Sequence, residues 1–213
     1  MANSYLIISV DDLNGGSFDE YADLHAYLKE TQLKVTYFPT KAGDGRVRPQ
    51  IIDGMKADTA CELGWHGYER GRLDANPVST IDSEINDNII AWPFGVIDNR
   101  TPTNENRIVA RGTRGVPNDL LAENFNISYL NSFSLGYRSL HQNYQGSRTS
   151  PASIISNAFD SAGKLVSLHL HNSRGFSVRD LEFVVETAEG APNVEIRYQS
   201  EIMDIYNNLQ SAL

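Results

Sequence analysis

The sequence predicts a single α/β domain over residues 1–213, folded as a parallel barrel or as an open doubly wound sheet. Short apolar, β-branched runs alternate with longer segments of helical period along the chain. Roughly seven or eight such β-α units follow one another without a linker or repeat, which is the pattern of these two architectures. The length of 213 residues, with 40% hydrophobic and 21% charged residues, suits one globular core.

The first half of the chain begins with an apolar run, Tyr5–Val10, which predicts a buried strand. A helix over Ser17–Glu30 follows, with Ser17 as its N-cap and Glu20 completing a capping box. The same patterns then repeat as far as residue 93. They predict strands at Val35–Phe38, Ala60–Trp65 and a short run into Ala91-Trp92-Pro93, and helices at Arg48–Ala57 and Val78–Ile89.

The second half carries two weak strand patterns and then stronger ones. The predicted strands are Arg107–Ala110, Ile127–Leu130, Leu165–His171 and Val194–Tyr198, and the predicted helices are Arg179–Glu189 and Ser200–Leu209. Residues 131–150 have no clear period and are predicted to form a loop that covers a site. In both candidate architectures, such a site lies at the carboxyl ends of the strands.

Composition excludes several classes of function. The net charge of −9, from 27 acidic and 18 basic residues without a Lys/Arg run, argues against a nucleic-acid partner. No stretch approaches the roughly 20 apolar residues that span a bilayer, and the first residues lack the basic region of a signal peptide, so we expect a soluble chain. The single cysteine, Cys61, excludes an intrachain disulfide and predicts a buried apolar side chain rather than a reactive thiol.

Two adjacent carboxylates, Asp11 and Asp12, directly follow the first predicted strand. They repel each other unless a cation or a proton relieves them. Because neighbouring side chains on a strand point in opposite directions, both can face one site only where the strand gives way to a loop. A helix N-cap or a solvated turn is the structural alternative.

Three histidines stand at or near strand ends. His66 follows the third predicted strand, a place equivalent to that of the two aspartates, and imidazole and carboxylate are ligand types that suit zinc and related metals. His169 and His171 are two apart on a late strand, so they share a face, and burying two imidazoles without partners is costly. Trp92-Pro93-Phe94-Gly95 forms either a structural turn or an apolar wall under a sugar ring or acyl group.

Taken in order, these segments resemble the polysaccharide deacetylase family, also called the NodB-homology family or carbohydrate esterase family four. The similar segments are Val10-Asp11-Asp12 (its opening Asp-Asp motif), Lys34–Phe38 (its second-strand segment), Glu62–Gly67 (its metal-histidine motif), Ala91–Gly95 (its groove-wall motif) and Leu168–Asn172 (its late-strand motif, which ends in a catalytic histidine). The resemblance extends over nearly the whole chain.

The resemblance implies an irregular (β/α)7-type barrel and metal-assisted removal of an N- or O-linked acetyl group from a glycan or polysaccharide. Asp12 and His66 would hold a divalent metal, zinc before others. Asp11 would act as general base and His171 as general acid, with His169 as the second candidate for the acid. The implied substrate contacts are Tyr68, Trp92, Pro93, Phe94, Gly95 and His169.

The sequence departs from the family pattern at two positions. The second metal histidine is expected four residues after the first, where Arg70 stands, and its permanent positive charge repels a cation. A third ligand would then come from Asp74, Glu69 or His169, or the metal is weakly held or absent. Ala91 replaces the arginine that usually pairs with the base, and Arg111 is the candidate substitute.

Three hypotheses follow, with a modified but active metal-dependent deacetylase first. In the second, a carbohydrate-binding protein keeps the barrel but has lost catalysis, with Arg70 in the place of the metal. A metal-free hydrolase ranks lowest, because Ser9 and Ser167 lack the context of a nucleophile elbow. Native location, extracellular or cytoplasmic, and oligomeric state stay open.

Overall fold

The computed structural model describes residues 3–11, 18–39, 49–66, 86–91, 109–112, 118–135, 163–171 and 178–212. Within these residues, one curled mixed sheet packs against helices. Its strands are β1 (Ser4–Asp11), β2 (Val35–Phe38), β3 (Cys61–Trp65), β4 (Asn86–Ala91), β5 (Val109–Arg111), β6 (Asn118–Asp119), β7 (Phe133–Leu135), β8 (Lys164–His171) and β9 (Val194–Arg197). The helices are α1 (Phe18–Thr31), α2 (Pro49–Asp58), α3 (Val178–Glu189) and α4 (Ile202–Ser211), the last preceded by a 3₁₀ turn at Gln199–Glu201.

Two long parallel strands, β1 and β8, form the centre of the sheet. They pair from Tyr5 with Leu165 to Asp11 with His171. The other edge of β1 pairs with β9 along its first half and with β2 along its second half. Strand β8 is shared in the same way, between antiparallel β6 and parallel β7.

From β2 the sheet continues through β3 and β4 to β5, and each of these pairs is parallel. Because β1, β2, β3, β4, β5, β7 and β8 run in one direction, their last residues lie along one side of the sheet. We call this side the carboxyl edge. The end of β5 is tied to the segment before β7, since Gly112 N–H donates to the carbonyl oxygen of Leu130 at 2.7 Å. The sheet is thereby curled toward a barrel.

The two faces of β1 have different partners. Leu6, Ile8 and Val10 belong to a core that includes apolar side chains of α1 and α3. The alternate residues Tyr5 and Ile7 pack instead in a second core, with Leu165, Val109, Leu120, Leu130 and Ile202. Full burial of such a side chain contributes roughly 1.5–3 kcal/mol, so these cores stabilise both faces of the sheet. We call the face that carries Tyr5, Ile7, Ser9 and Asp11 the inner face.

Several predicted elements are confirmed with small changes at their ends. The strand prediction Val35–Phe38 matches β2 residue for residue, and the predictions for β1, β3, β8, β9 and helices α1 to α4 differ by at most two residues at either end. Arg107–Ala110 overlaps β5 at residues 109–110. The predicted N-cap Ser17 lies outside the described residues.

Three predictions are wrong in part. The helix over Val78–Ile89 does not extend to its predicted end, because residues 86–89 already belong to β4, where Ile89 and Ile90 are buried side by side. The strand over Ile127–Leu130 is mostly a turn, in which the Asn126 side chain accepts a hydrogen bond from Ser128 N–H. The long loop predicted over residues 131–150 contains β7, and β6 was not predicted.

Cys61 agrees with its predicted role. It is partly buried and packs against the core that contains Leu6, Ile8 and Val10, and burial is the main cause that raises the pKa of its thiol. A raised pKa disfavours the reactive thiolate.

In the part of the chain that the structure describes, every helix is too short or too polar to cross a bilayer.

Candidate active site at the carboxyl edge

The backbone brings the predicted catalytic positions to one side of the sheet. Asp11 ends β1, His66 follows β3, Arg111 ends β5 and His171 ends β8. Every one of these strands is parallel to its neighbours in the path from β5 to β8. These four positions therefore share the carboxyl edge, which is where α/β folds place ligands.

Asp11 and His171 are direct register partners on the two central strands. Asp11 has only 2% of its surface exposed, and on its other side it is paired with Phe38 of β2. Neighbouring parallel strands are about 4.8 Å apart. The backbone of Asp11 therefore lies about one strand spacing from that of His171. The two strands are far apart in the chain: Ser9 on β1 and its hydrogen-bond partner Leu168 on β8 are separated by 159 positions.

His66 is buried, with 6% of its surface exposed, and its ring is anchored by β4. Its Nδ1 lies 2.8 Å from the carbonyl oxygen of Ala91. A carbonyl oxygen only accepts hydrogen bonds, so Nδ1 carries the hydrogen and the lone pair of the neutral ring is on Nε2. A backbone carbonyl bonded to one ring nitrogen is the usual support for an imidazole that ligates metal through the other.

An aromatic side chain, Phe38, stands at the register position paired with Asp11 and lies beside His66. The Phe38 ring lies against Gly64 so closely that a Cβ there would meet Phe38 Cε1 at 2.4 Å and the carbonyl oxygen of Ile89 at 3.0 Å. The same ring is 6.3 Å from the His66 ring, at an angle of 54°. Glycine at position 64 therefore makes room for an apolar wall beside the imidazole.

A polar layer lies beneath Asp11 on the inner face. It contains Ser9, Ser167 and His169 of the central strands together with Ser132, and all four are at most 2% exposed. Ser9 Oγ donates to the carbonyl oxygen of Leu168 at 3.0 Å, and Ser132 Oγ lies 2.9 Å from His169 Nδ1. Each buried hydroxyl in this layer thus has a hydrogen-bond partner, as burial requires.

Several other predicted site residues lie outside the described part of the chain or are described by their backbone alone. Asp12, Tyr68 and Trp92-Pro93-Phe94-Gly95 lie outside the described residues, as do Arg70, Glu69 and Asp74. For Arg111 and His171 the structure gives the backbone position alone. Among the residues it does describe, no three Asp, Glu, His or Cys side chains form a group that could hold a metal ion. The assignments of individual roles stay predictions.

The sequence did not reveal a second polar network, which reaches Thr36 of β2, the register partner of Ser9. Gln199 is fully buried, and its side-chain amide donates to the carbonyl oxygens of Ile90 at 3.0 Å and Val109 at 2.9 Å. Its backbone N–H donates to Thr36 Oγ1, which in turn donates to Glu62 Oε1 at 2.6 Å. Nothing in the local sequence around Gln199 marks it as a link between β4 and β5, because both partners are distant in the chain.

An open groove of about 500 Å³ lies elsewhere, between α1 and α3. It includes residues that precede β2, so it is at the side of the sheet away from the carboxyl edge. Four glutamates line it, and burial followed by Glu182, Glu189 and Glu186 raises the pKa of Tyr27 to about 12. The groove contains none of the predicted catalytic positions.

No protein-family model matches the chain, and no curated protein matches it by sequence. Solved structures do match it. A protein from Mycobacterium smegmatis that is assigned as a polysaccharide deacetylase superposes with a TM-score of 0.65 at 13% identity, over 98% of this chain and 92% of that one. The peptidoglycan deacetylase PdaC from Bacillus subtilis gives 0.57 at 12% identity, over 99% and 95%. The chitin deacetylase from Colletotrichum lindemuthianum gives 0.53 at 14% identity, over 94% and 88%.

These likenesses confirm the predicted fold. The chain has the curled α/β barrel of the NodB or polysaccharide deacetylase kind. Structures named as family 4 carbohydrate esterases, from Streptomyces lividans and Bacillus subtilis, also match it over 91% and 95% of its length. The order of short motifs in the sequence had pointed to the same fold.

Proposed function

We propose that this chain is a metal-dependent carbohydrate deacetylase, which hydrolyses N- or O-linked acetyl groups on a glycan or polysaccharide. The observation that carries the proposal is the register of the two central strands, which pairs Asp11 with His171 at the carboxyl edge. The fold supports it too, since the similar structures include deacetylases of peptidoglycan and chitin.

The chemistry of His66 fits a divalent metal. Its hydrogen bond to the Ala91 carbonyl leaves the lone pair on Nε2, the atom that would ligate the ion. Asp12, directly after β1, would supply the carboxylate ligand, and zinc suits such a mixed set. When bound, the metal polarises the acetyl carbonyl and makes a bound water more acidic.

The residues of the chain supply the proton transfers. Asp11 takes a proton from the attacking water, whose oxygen forms a bond to the acetyl carbon. His171 gives a proton to the leaving nitrogen or oxygen as its bond to that carbon breaks. The products are acetate and a free amine or hydroxyl group on the glycan. In this scheme Arg111 pairs with Asp11 and keeps it oriented, and residues 68 and 92–95 contact the sugar.

Metal analysis and acetate release test this proposal together. Purified chain is assayed on acetylated chitin oligomers, peptidoglycan fragments and acetylated xylan, before and after chelation and after addition of zinc. We expect acetate release that chelation abolishes and zinc restores. In His66→Ala we expect zinc content and activity to fall together, whereas His25→Ala, a change on α1 far from the carboxyl edge, leaves both unchanged.

The catalytically degenerate alternative gives a different result in the same experiment. If Arg70 takes the place of the ion, the glycan binds without metal and its binding survives chelation and Asp12→Ala. Glycan binding of that kind, with no acetate released under any added metal, would replace the deacetylase proposal with a binding function.

A further inference from the structure

One imidazole on the inner face is buried deeper than a substrate contact would be. His169 is 2% exposed and lies on β8 opposite Ser9, two residues before the pair of Asp11 and His171. Its strand partner on the other side is Ser134 of β7. Ser132 contacts its ring, with Oγ 2.9 Å from Nδ1.

The contacts of Ser132 favour one tautomer of this histidine. Ser132 Oγ also lies 3.2 Å from the carbonyl oxygen of Ser167, which cannot donate. We assign the single hydroxyl hydrogen of Ser132 to this contact, because two oxygens so close would otherwise repel each other. Ser167 Oγ donates to Ser132 Oγ at 3.1 Å and occupies one lone pair. In this arrangement the second lone pair faces His169 Nδ1, which then carries the hydrogen of their 2.9 Å contact. One donation and two acceptances satisfy the hydroxyl completely.

We propose that His169 is a positioning residue, with a fixed Nδ1–H donated to Ser132, and that it is neither the general acid nor a substrate contact. Its hydrogen bond joins β8, which carries His171 two residues further on, to the segment that enters β7. The residue before Ser132 in that segment, Asn131, is also fixed by side-chain hydrogen bonds. Its backbone N–H donates to Asn118 Oδ1, and its carbonyl oxygen accepts from Asn118 Nδ2. Only the catalytic consequence of this inference rests on the proposed function; the hydrogen bond between His169 and Ser132 does not.

Nuclear magnetic resonance of the imidazole nitrogens tests the hydrogen bond without any activity. The full chain has five histidines, so the signal of His169 is assigned by its loss in His169→Asn. We expect a neutral ring protonated at Nδ1, and in Ser132→Ala we expect this proton to shift and to exchange faster with solvent. A ring protonated at Nε2 in the unaltered chain would overturn the inference.

Kinetics of three variants test the catalytic consequence. The amide of Asn stands near the place of Nδ1–H, so His169→Asn keeps the donor but cannot act as an acid near neutral pH. We expect it to retain kcat within about threefold, whereas His171→Asn loses about 10²–10⁴-fold, the contribution of a general acid. His169→Leu, which lacks the donor, should lie between them, with kcat affected more than KM.

The outcomes separate this inference from the proposed function. If His169→Asn loses as much activity as His171→Asn, His169 is catalytic and the inference is wrong while the deacetylase proposal stands. If the chain releases no acetate from any of the glycans but the ring is protonated at Nδ1 and responds to Ser132→Ala, the deacetylase proposal fails while the structural role of His169 stands.

Discussion

The two halves of the inner face differ, although the same strands build both. Near the amino ends of β1 and β8, Tyr5, Ile7 and Leu165 are buried against Ile202 of α4. Further along the same strands, Ser9 is paired with His169, and then Asp11 with His171. Within eight residues of β1, the inner face changes from an apolar core to buried polar groups.

The amino half of β1 therefore contributes mainly to stability, and its carboxyl half contributes to the candidate site. The amino half is closed by α4 and holds the sheet together through apolar contacts. The carboxyl half lies at the strand ends, where loops can shape a site around fixed side chains. Substitutions in the carboxyl half should therefore lower kcat, and substitutions in the amino half should lower the free energy of unfolding. Four substitutions test this difference, from the largest expected effect to the smallest.

Asp11→Asn should have the largest effect, and it should be on activity. The change keeps the size of the side chain but removes the proposed base, so we expect kcat for acetate release to fall about 10²–10⁴-fold. Asp58→Asn, a partly exposed carboxylate that bonds His25 and Lys29, is the matched control and should keep full kcat. Equal activity of the two variants would remove Asp11 from the mechanism.

Ile7→Ala should lower stability rather than activity. Ile7 is 1% exposed in the amino-half core, and truncation of such a side chain costs about 2–5 kcal/mol of unfolding free energy. Denaturant unfolding measures this loss, and Leu121→Ala, at a position 40% exposed, is the control with little expected change. A drop in kcat of the folded Ile7→Ala protein comparable to that of Asp11→Asn would contradict the division.

Gln199→Met should have a smaller effect on stability. The substitution keeps the length of the side chain but leaves the carbonyl oxygens of Ile90 and Val109 without the amide donor. Burial of acceptors that lose their partner costs about 1–3 kcal/mol. Denaturant unfolding again measures it, with the exposed helix residue Gln210→Met as control. If the two variants are equally stable, the amide bridge between β4 and β5 contributes nothing.

Glu201→Gln should have the smallest effect, and it should depend on pH. Burial alone would raise the pKa of Glu201, but the N–H of Tyr198 and the cations Lys34 and Arg197 outweigh it and lower the pKa below the ordinary 4.5. A lowered pKa stabilises the fold above the ordinary value, and that stability is lost as the pH falls through the folded value. We expect the variant to be about 1 kcal/mol less stable at pH 7. Well below pH 4, the unfolding free energy of Glu201→Gln should become equal to that of the unaltered chain. A difference that stays constant with pH would show that the charge of Glu201 does not contribute to stability.

Much of the fold follows from local sequence patterns. The apolar run of β1 and the alternation of apolar and polar residues in β8 are visible without a structure, and they place Asp11 and His171 at strand ends. The failures have local causes too. The spacing of Ile81, Ile85 and Ile89 fits a helix, yet Ile89 is buried with Ile90 in β4, because contacts with β3 and β5 override a weak period.

The sequence by itself determined where the two central strands β1 and β8 end, because burial of a strand needs only the order of apolar and polar side chains along it. The tertiary structure decided which residues meet. The Ala91 carbonyl that fixes the His66 ring, the Ser132 hydroxyl at His169 and the amide of Gln199 between β4 and β5 are all supplied from distant parts of the chain. Such partners depend on strand register and on the curl of the sheet, and neither leaves a periodic signal in the neighbouring residues.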